Sequence, residues 1–153
     1  MTEYIKRDEE RLIRELLDEM ADGFGLYSPK KEKFFSGYYL DRLWSKELEG
    51  EKVPFVAFEI EKGVPSNERI RKDIMNVACT KAPKGYVILP HRRILEDPKA
   101  RKGGNWASWY KSNFEKTFSI YRQLFAAYCD IEIIDADMLL ASRSLHKSVV
   151  SVP

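Results

Sequence analysis

The fold of this 153-residue chain is decided by one stretch, Val53-Pro54-Phe55-Val56-Ala57-Phe58-Glu59-Ile60-Glu61. Side chains alternate across a strand, so one face of this segment is wholly apolar. The other face begins with Phe55 and Ala57 and ends in Glu59 and Glu61. The pattern predicts a strand inside a sheet that ends in two carboxylates, about 6–7 Å apart along the strand.

The segments around this strand alternate between helical and extended patterns. Apolar spacing predicts helices over about 3–20 and 67–80, and an aromatic stretch predicts one strand over 34–44 with a bend at Gly37. A charged connection is expected over 47–52. Further along we expect a strand over 85–90 covered on both faces, a basic loop over 91–104, a helix over about 105–127, a strand over 130–134 and a short helix over 137–142. This alternation predicts one α/β domain over residues 1–153, with a mixed central sheet flanked by helices.

Composition excludes several classes of protein. The 26 basic and 24 acidic residues leave a net charge of +2, which excludes a histone-like polycation but permits a local basic patch. Two cysteines and two histidines without close spacing do not make a zinc site. No apolar run is long enough to span a membrane, and the first residues do not resemble a signal peptide. We therefore expect a cytoplasmic (intracellular) protein with no membrane partner.

Three acids invite comparison with a metal site. Glu59 and Glu61 repel each other at the end of a strand, and a divalent cation would remove that penalty. Asp41 is a third candidate, although a simple hairpin between strands 34–44 and 53–61 would place it beside Val53 and far from Glu59. A cluster therefore requires the strands to diverge or the sheet to bend at Asp41. The alternative is that these acids are solvated strand ends with surface ion pairs.

Glu9 is a fourth acid in an unusual position. At 100° per residue it projects to the centre of the apolar stripe on helix 3–20. A carboxylate there needs a partner or a polar cavity, unless Glu9 lies beyond the edge of the core.

Residues 39–44, a short charged loop and residues 53–61 together resemble the PD-(D/E)XK nuclease superfamily, the restriction-endonuclease-like group. Its pattern is an acid, a loop and a strand ending in acid–any–lysine, embedded in an αβββαβ core. The resemblance implies that Asp41 is the first acid and Glu59 the second. It implies a DNA endonuclease dependent on Mg²⁺ (or Mn²⁺), in which Asp41, Glu59 and the backbone carbonyl of Ile60 bind the metal.

The sequence departs from this pattern at the lysine, where Glu61 stands instead. By the resemblance, Glu61 would orient or deprotonate the attacking water or bind a second ion, and Glu9 would complete the outer shell. Lys62 should point to the opposite side of the strand, whereas Lys72 on the following helix could supply a displaced amine. An alternative function follows from the missing lysine and the near-neutral charge: an inactive nuclease-like fold that binds DNA or a partner protein.

Basic residues after the central strand are expected to contact DNA, because they could offset repulsion between acidic site and phosphodiester backbone. The residues are Arg69, Lys72, His91, Arg92, Arg93, Lys99, Arg101 and Lys102, and Asn76 shares the polar face of helix 67–80 with Arg69 and Lys72. The alternative is that the loop is an ordinary solvated surface. A chain this short leaves little room for a separate sequence-reading domain, so we expect a homodimer. A small-molecule enzyme is disfavoured because no phosphate-binding glycine motif, Ser-His-Asp set or Cys-His pair is present.

Overall fold

Helices and strands alternate along most of the chain in the computed structural model, which describes residues 2–29, 32–34, 38–63, 66–91, 95 and 115–142. In chain order the elements are α1 (Thr2–Gly23), β1 (Glu32–Phe34), β2 (Tyr38–Leu40), β3 (Arg42–Leu48), β4 (Glu51–Ile60), α2 (Asn67–Cys79), β5 (Lys84–Leu89), α3 (Glu115–Phe125), β6 (Asp130–Asp135) and α4 over 136–142. The α/β class predicted from the sequence is confirmed.

The central sheet has four strands in the order β3-β4-β5-β6. Strands β3 and β4 are antiparallel, whereas β4, β5 and β6 run parallel to one another, so the predicted mixed sheet is confirmed. The short strands β1 and β2 pair separately. The start of β3 and the carboxyl ends of β4, β5 and β6 therefore meet at one edge of the sheet, which is where open α/β sheets commonly bind ligands.

Helices cover both faces of the central sheet. On one face, Ala57, Val87 and Ile131 pack with apolar residues of α2 and α3. On the other face, Phe58 and Ile88 pack with apolar residues of α1 and α4. Neighbouring residues of β5 thus enter opposite cores, which confirms that this strand is covered on both sides.

The single strand predicted over 34–44 is wrong. The chain bends at Asp41, so β2 ends before it and β3 begins directly after it. Strand β3 then continues to Leu48, and Glu49 and Gly50 form a two-residue hairpin turn with φ of 52° and 82°. Positive φ at both central residues is typical of a type I′ turn, which matches the twist of the paired strands. The charged connection expected over 47–52 is therefore a tight turn flanked by paired strand residues, and the bend predicted at Gly37 lies outside the described residues.

An irregularity in the pairing of β3 with β4 explains why a proline is tolerated at position 54 and why Phe55 is exposed. The register shifts between Trp44 and Ser45, which pair with Val56 and Pro54. Ser45 exchanges its backbone hydrogen bonds with Tyr27. Proline lacks an N–H and is tolerated in a strand at such a bulge. Because of the extra residue, Phe55 is exposed rather than buried with Ala57.

Helix α3 lies within the helix predicted over 105–127, whose first part, 105–114, lies outside the described residues. No helix in the described part of the chain combines the length and apolar character that membrane crossing requires.

Candidate functional site

Asp41 lies at the edge of the central sheet, beside the end of β4. Its Oδ2 atom accepts a hydrogen bond of 2.8 Å from the backbone N–H of Ile60. Its Oδ1 atom accepts a bond of 2.7 Å from Arg14 of α1, and Arg14 also donates to the Asp41 backbone carbonyl at 2.8 Å. In the antiparallel pair, Arg42 at the start of β3 lies opposite Phe58 of β4. Asp41, which precedes Arg42, therefore lies beside Glu59, which follows Phe58.

Glu59 is the second acid of the site, and it is 6% exposed. Asn76 of α2 donates a hydrogen bond of 3.2 Å to Glu59 Oε1. The carboxyl groups of Glu59 and Asp41 lie within hydrogen-bonding range of each other. The chain thus has the bend at Asp41 that, by the sequence analysis, an approach of these two acids requires.

Burial and nearby charges shift the pKa values of these two acids in opposite directions. Burial, the hydrogen bond with Asp41 and the charges of Asp41 and Asp73 raise the pKa of Glu59 to about 10. Burial also opposes ionisation of Asp41. It is outweighed by the hydrogen bonds from Glu59 and Ile60 and by the charge of Arg14, so the pKa of Asp41 lies below its ordinary value. At neutral pH the pair therefore carries one proton, held on Glu59.

Glu61 and Asp73 form a second acidic pair next to the first. Glu61 is 4% exposed and accepts a bond of 3.1 Å from Arg69 of α2. Burial, a hydrogen bond with Glu61 and the Glu61 charge raise the pKa of Asp73 to about 9, against the opposing charge of Arg69. Asp73 Oδ2 is buried and has no hydrogen-bond partner among the described residues.

These groups line a cavity of about 500 Å³ between the sheet edge and α2. The buried side chains form an acidic floor, and basic side chains lie at the more exposed rim. The lining residues are Asp41, Glu59, Ile60, Lys62, Ser66, Glu68, Arg69, Lys72, Asp73 and Asn76. Glu61 is not among them, and its carboxylate is paired with Arg69.

The chemistry of the lining fits a hard divalent cation. Carboxylates from two strand ends and from α2 are the oxygen ligands that Mg²⁺ and Mn²⁺ prefer. Both Asp41 oxygens already accept hydrogen bonds, whereas Asp73 Oδ2 has none. Within the described ranges, no three Asp, Glu, His or Cys side chains are already arranged around a common metal position. Any cation that binds here would first have to displace the proton that Glu59 holds beside Asp41.

Glu9 has a buried partner, as one of the two sequence-based alternatives required. It is 7% exposed, and its Oε1 atom accepts a hydrogen bond of 2.9 Å from the backbone N–H of His91. The His91 ring contacts Asp137 at 2.7 Å. Glu9 and His91 are thus bound to each other and do not line the acidic cavity. Helix α1 instead contacts residues that line the cavity: Arg14 pairs with Asp41, and Glu10 pairs with Lys62 and with Arg14.

Apart from His91, the basic residues predicted to contact DNA divide into two groups. Arg69 and Lys72 lie at the rim of the cavity. Lys62, expected on the opposite side of the strand, pairs with Glu10 of α1 at 3.2 Å and also reaches the rim. The remaining loop residues, Arg92, Arg93, Lys99, Arg101 and Lys102, lie outside the described part of the chain.

Sequence reasoning missed three residues of the site. Arg14 and Asp73 were not singled out, and Asn76 was expected to face DNA rather than Glu59. A signal for Asp73 was available: it lies three residues after Ile70 and four before Val77, within the buried face of α2. This is the same feature, an acid inside an apolar stripe, that drew attention to Glu9. Nothing in the local pattern around Arg14 indicates its contact with Asp41.

Comparison of the chain with protein-family models, with curated proteins and with solved structures finds no match in any of the three. The chemistry of the cavity is therefore the basis for proposing a function.

Proposed function

We propose that this protein is a divalent-metal-dependent DNA endonuclease that hydrolyses phosphodiester bonds in the acidic cavity. The observation that carries the proposal is the meeting of Asp41, from the bend before β3, and Glu59, from the end of β4, in one cavity with a basic rim. The half-buried Asp41 and the buried Glu59 repel each other when both are ionised, and a cation between them would remove that repulsion.

The distribution of charge in the cavity favours a phosphate ester as substrate. Lys62 and Arg69 are well exposed at the rim, and Lys72 is exposed beside them. These cations can hold phosphate oxygens above the acidic floor, where a bound metal ion would face the same phosphate. Glu68 also lies at the rim and reduces this positive charge by one. A neutral substrate would gain nothing from this arrangement.

Asp41 and Glu59 would hold the ion, with the backbone carbonyl of Ile60 as a further oxygen donor. A bound Mg²⁺ supplies Lewis acidity and lowers the pKa of a coordinated water. Arg14 and the Ile60 N–H keep Asp41 in position, and Asn76 does the same for Glu59. Such contacts fix the orientation of ligands, and losing them commonly reduces metal affinity or activity about 10- to 100-fold.

Glu61 and Lys72 take roles different from those of the motif lysine. Because the Glu61 carboxylate is paired with Arg69 and does not line the cavity, Glu61 is better placed to orient Arg69 than to deprotonate water. Lys72 lines the cavity and can neutralise charge that develops on the leaving oxygen. Lys72 is therefore the amine that we propose in place of the absent lysine.

The order of elements supports a restriction-endonuclease-like core only in part. Helix α1, the β3–β4 hairpin, α2 and the parallel strand β5 follow the expected αβββαβ order. The core has three strands between its helices, whereas here four precede α2, and only two of them join the central sheet. We propose the core on this order and on the position of Asp41 at the start of β3.

Cleavage of plasmid and branched DNA tests the proposed activity. Purified protein is incubated with each substrate and with Mg²⁺ or Mn²⁺, and nicked or linear products are separated on gels. Glu59→Ala should reduce cleavage at least about a hundredfold, since it removes a proposed ligand rather than an outer contact. Glu51→Gln, an equivalent loss of charge at the exposed start of the same strand, is the control. No cleavage by the wild type, or equal cleavage by Glu59→Ala, would refute the activity.

A second candidate is an inactive nuclease-like fold that binds DNA or a partner protein. Two observations favour it: Glu61 is tied to Arg69, and Arg14 already neutralises Asp41. DNA binding measured by fluorescence anisotropy, unaffected by Mn²⁺ and accompanied by no cleavage, would select this candidate. Under either function the homodimer stays a prediction, which sedimentation would test.

A further inference from the structure

Asp73 is a buried acid whose position calls for a ligand. It lies on α2, is 7% exposed and lines the same cavity as Asp41 and Glu59. Its Oδ2 atom is buried and has no hydrogen-bond partner among the described residues. The carboxyl group shares a hydrogen bond with Glu61, but a buried carboxyl oxygen left without a partner is costly, so a group missing from the protein itself is expected to contact Oδ2.

Two neighbours of Asp73 on α2 each bind one of the other acids near the cavity. Arg69, four residues earlier, holds Glu61, and Asn76, three residues later, holds Glu59. Residues at these spacings lie on one face of a helix. This face of α2 therefore provides a partner for Glu59 at the end of β4 and another for Glu61 just after it. Asp73 adds a third acid to the same face, and no described side chain donates a hydrogen bond to its Oδ2 atom.

We propose that Asp73 is the third carboxylate ligand of a divalent cation held by Asp41 and Glu59, in place of Glu61. The inference rests on the proposed function, because it concerns the same cavity. Asp73 brings the ligand from a helix rather than from the strand motif, and Glu61 becomes a positioning residue that orients Arg69 at the rim. Because Asp73 belongs to α2 and Glu59 to β4, the ion would bridge the helix and the sheet edge, and it would have to draw together three carboxyl groups that, among the described residues, do not yet surround a common metal position.

Calorimetric titration with MnCl₂ tests the assignment. The wild type should bind Mn²⁺, and Asp73→Asn should weaken binding at least about tenfold, the low end of what the loss of even an outer contact costs. Glu61→Gln should change affinity by less than about threefold, and Glu51→Gln is the control for loss of charge. Circular dichroism of each variant verifies that it is folded.

Asp73→Cys provides a second measurement that a merely structural role would not change. A thiolate prefers soft metals, so a direct ligand at this position should raise the ratio of Cd²⁺ to Mn²⁺ affinity at least about tenfold above that of the wild type. The wild-type ratio accounts for the native thiols Cys79 and Cys129.

The outcomes separate this inference from the proposed function. If the wild type binds no Mn²⁺, the proposed function fails and the inference fails with it. If the wild type binds Mn²⁺ but Asp73→Asn binds it equally well, or the Cd²⁺ ratio of Asp73→Cys is unchanged, only the inference is overturned.

Discussion

The proton on Glu59 predicts how stability depends on pH. Burial, the hydrogen bond with Asp41 and the neighbouring negative charges raise the pKa of Glu59 from 4.5 to about 10. Between these two values the folded protein keeps a proton that the unfolded chain has lost. The stabilisation from Glu59 is therefore complete below pH 4.5 and is lost as the pH rises towards 10. Each pH unit in this range lowers the free energy of unfolding by about 1.4 kcal/mol.

The substitution Glu59→Gln removes this dependence while it keeps a neutral side chain of the same shape beside Asn76. Asp73 contributes a slope of its own, because its pKa is raised to about 9, but that slope is common to the wild type and the variant. From pH 6 to pH 8 the stability of the wild type should therefore fall relative to Glu59→Gln by about 3 kcal/mol. A change of this size moves a urea midpoint by about 1 M or more.

Urea unfolding followed by tryptophan fluorescence at pH 6, 7 and 8, with a chelator present, measures the difference. The matched control is Glu51→Gln on the exposed start of β4, where water solvates the carboxylate in the folded and unfolded chain alike. Its difference from the wild type should be constant over the same range. If the Glu59→Gln difference is equally constant, Glu59 is ionised in the folded protein, and the reasoning about a proton held in the cavity is refuted.

Three further experiments test the contacts around the site, the proposed proton release and the packing of the sheet. Arg14→Ala should lower the free energy of unfolding by about 1.5–3 kcal/mol, because Asp41 loses charge-assisted bonds, whereas Arg11→Ala on the exposed side of α1 should change it by less than about 1 kcal/mol in the same urea titration. Mn²⁺ binding at pH 7, measured calorimetrically in buffers of different ionisation enthalpy, should release between one and two protons per ion from Glu59 and Asp73, and an enthalpy independent of the buffer would contradict this. Gly85→Ala should lower the free energy of unfolding by about 1–3 kcal/mol, because a Cβ there would collide with Val77 of α2, and adding Val77→Ala should recover part of the loss. Thermal unfolding measures both variants, and a Gly85→Ala protein more stable than the wild type would contradict the prediction.

Periodicity was sufficient to predict the regular elements that bury one apolar stripe or both faces. Helices α1 and α2 and strands β4, β5 and β6 lie where the pattern predicts them, because burial selects apolar residues at the period of the element. The stretch from 34 to 48 was misread because aromatic and β-branched residues favour strands on both sides of Asp41 without marking the bend. The hairpin turn was missed because Glu49-Gly50 differs from the Asn-Gly and Asp-Gly pairs that usually announce a type I′ turn.

The misread stretch is also the reason why the sequence could not locate Asp41 within the site. Asp41 could be placed beside Val53 or beside Glu59, depending on where β3 begins, and hairpin register is not readable from alternation alone. Residues distant in sequence, such as Arg14, enter the site only once α1 is docked on the sheet. Asp73 was accessible to sequence reasoning, since an acid within an apolar helical stripe is visible without coordinates. The resemblance to a nuclease motif directed attention to Glu61 instead.

A crystal structure of the protein grown with Mn²⁺, with anomalous diffraction recorded at the manganese edge, tests the central claim most directly. The claim predicts one anomalous peak in the cavity, within about 2.0–2.3 Å of carboxylate oxygens of Asp41, Glu59 and Asp73. An empty cavity at saturating Mn²⁺, with the Glu59 side chain still bound to Asn76 and Asp41 still paired with Arg14, would contradict it.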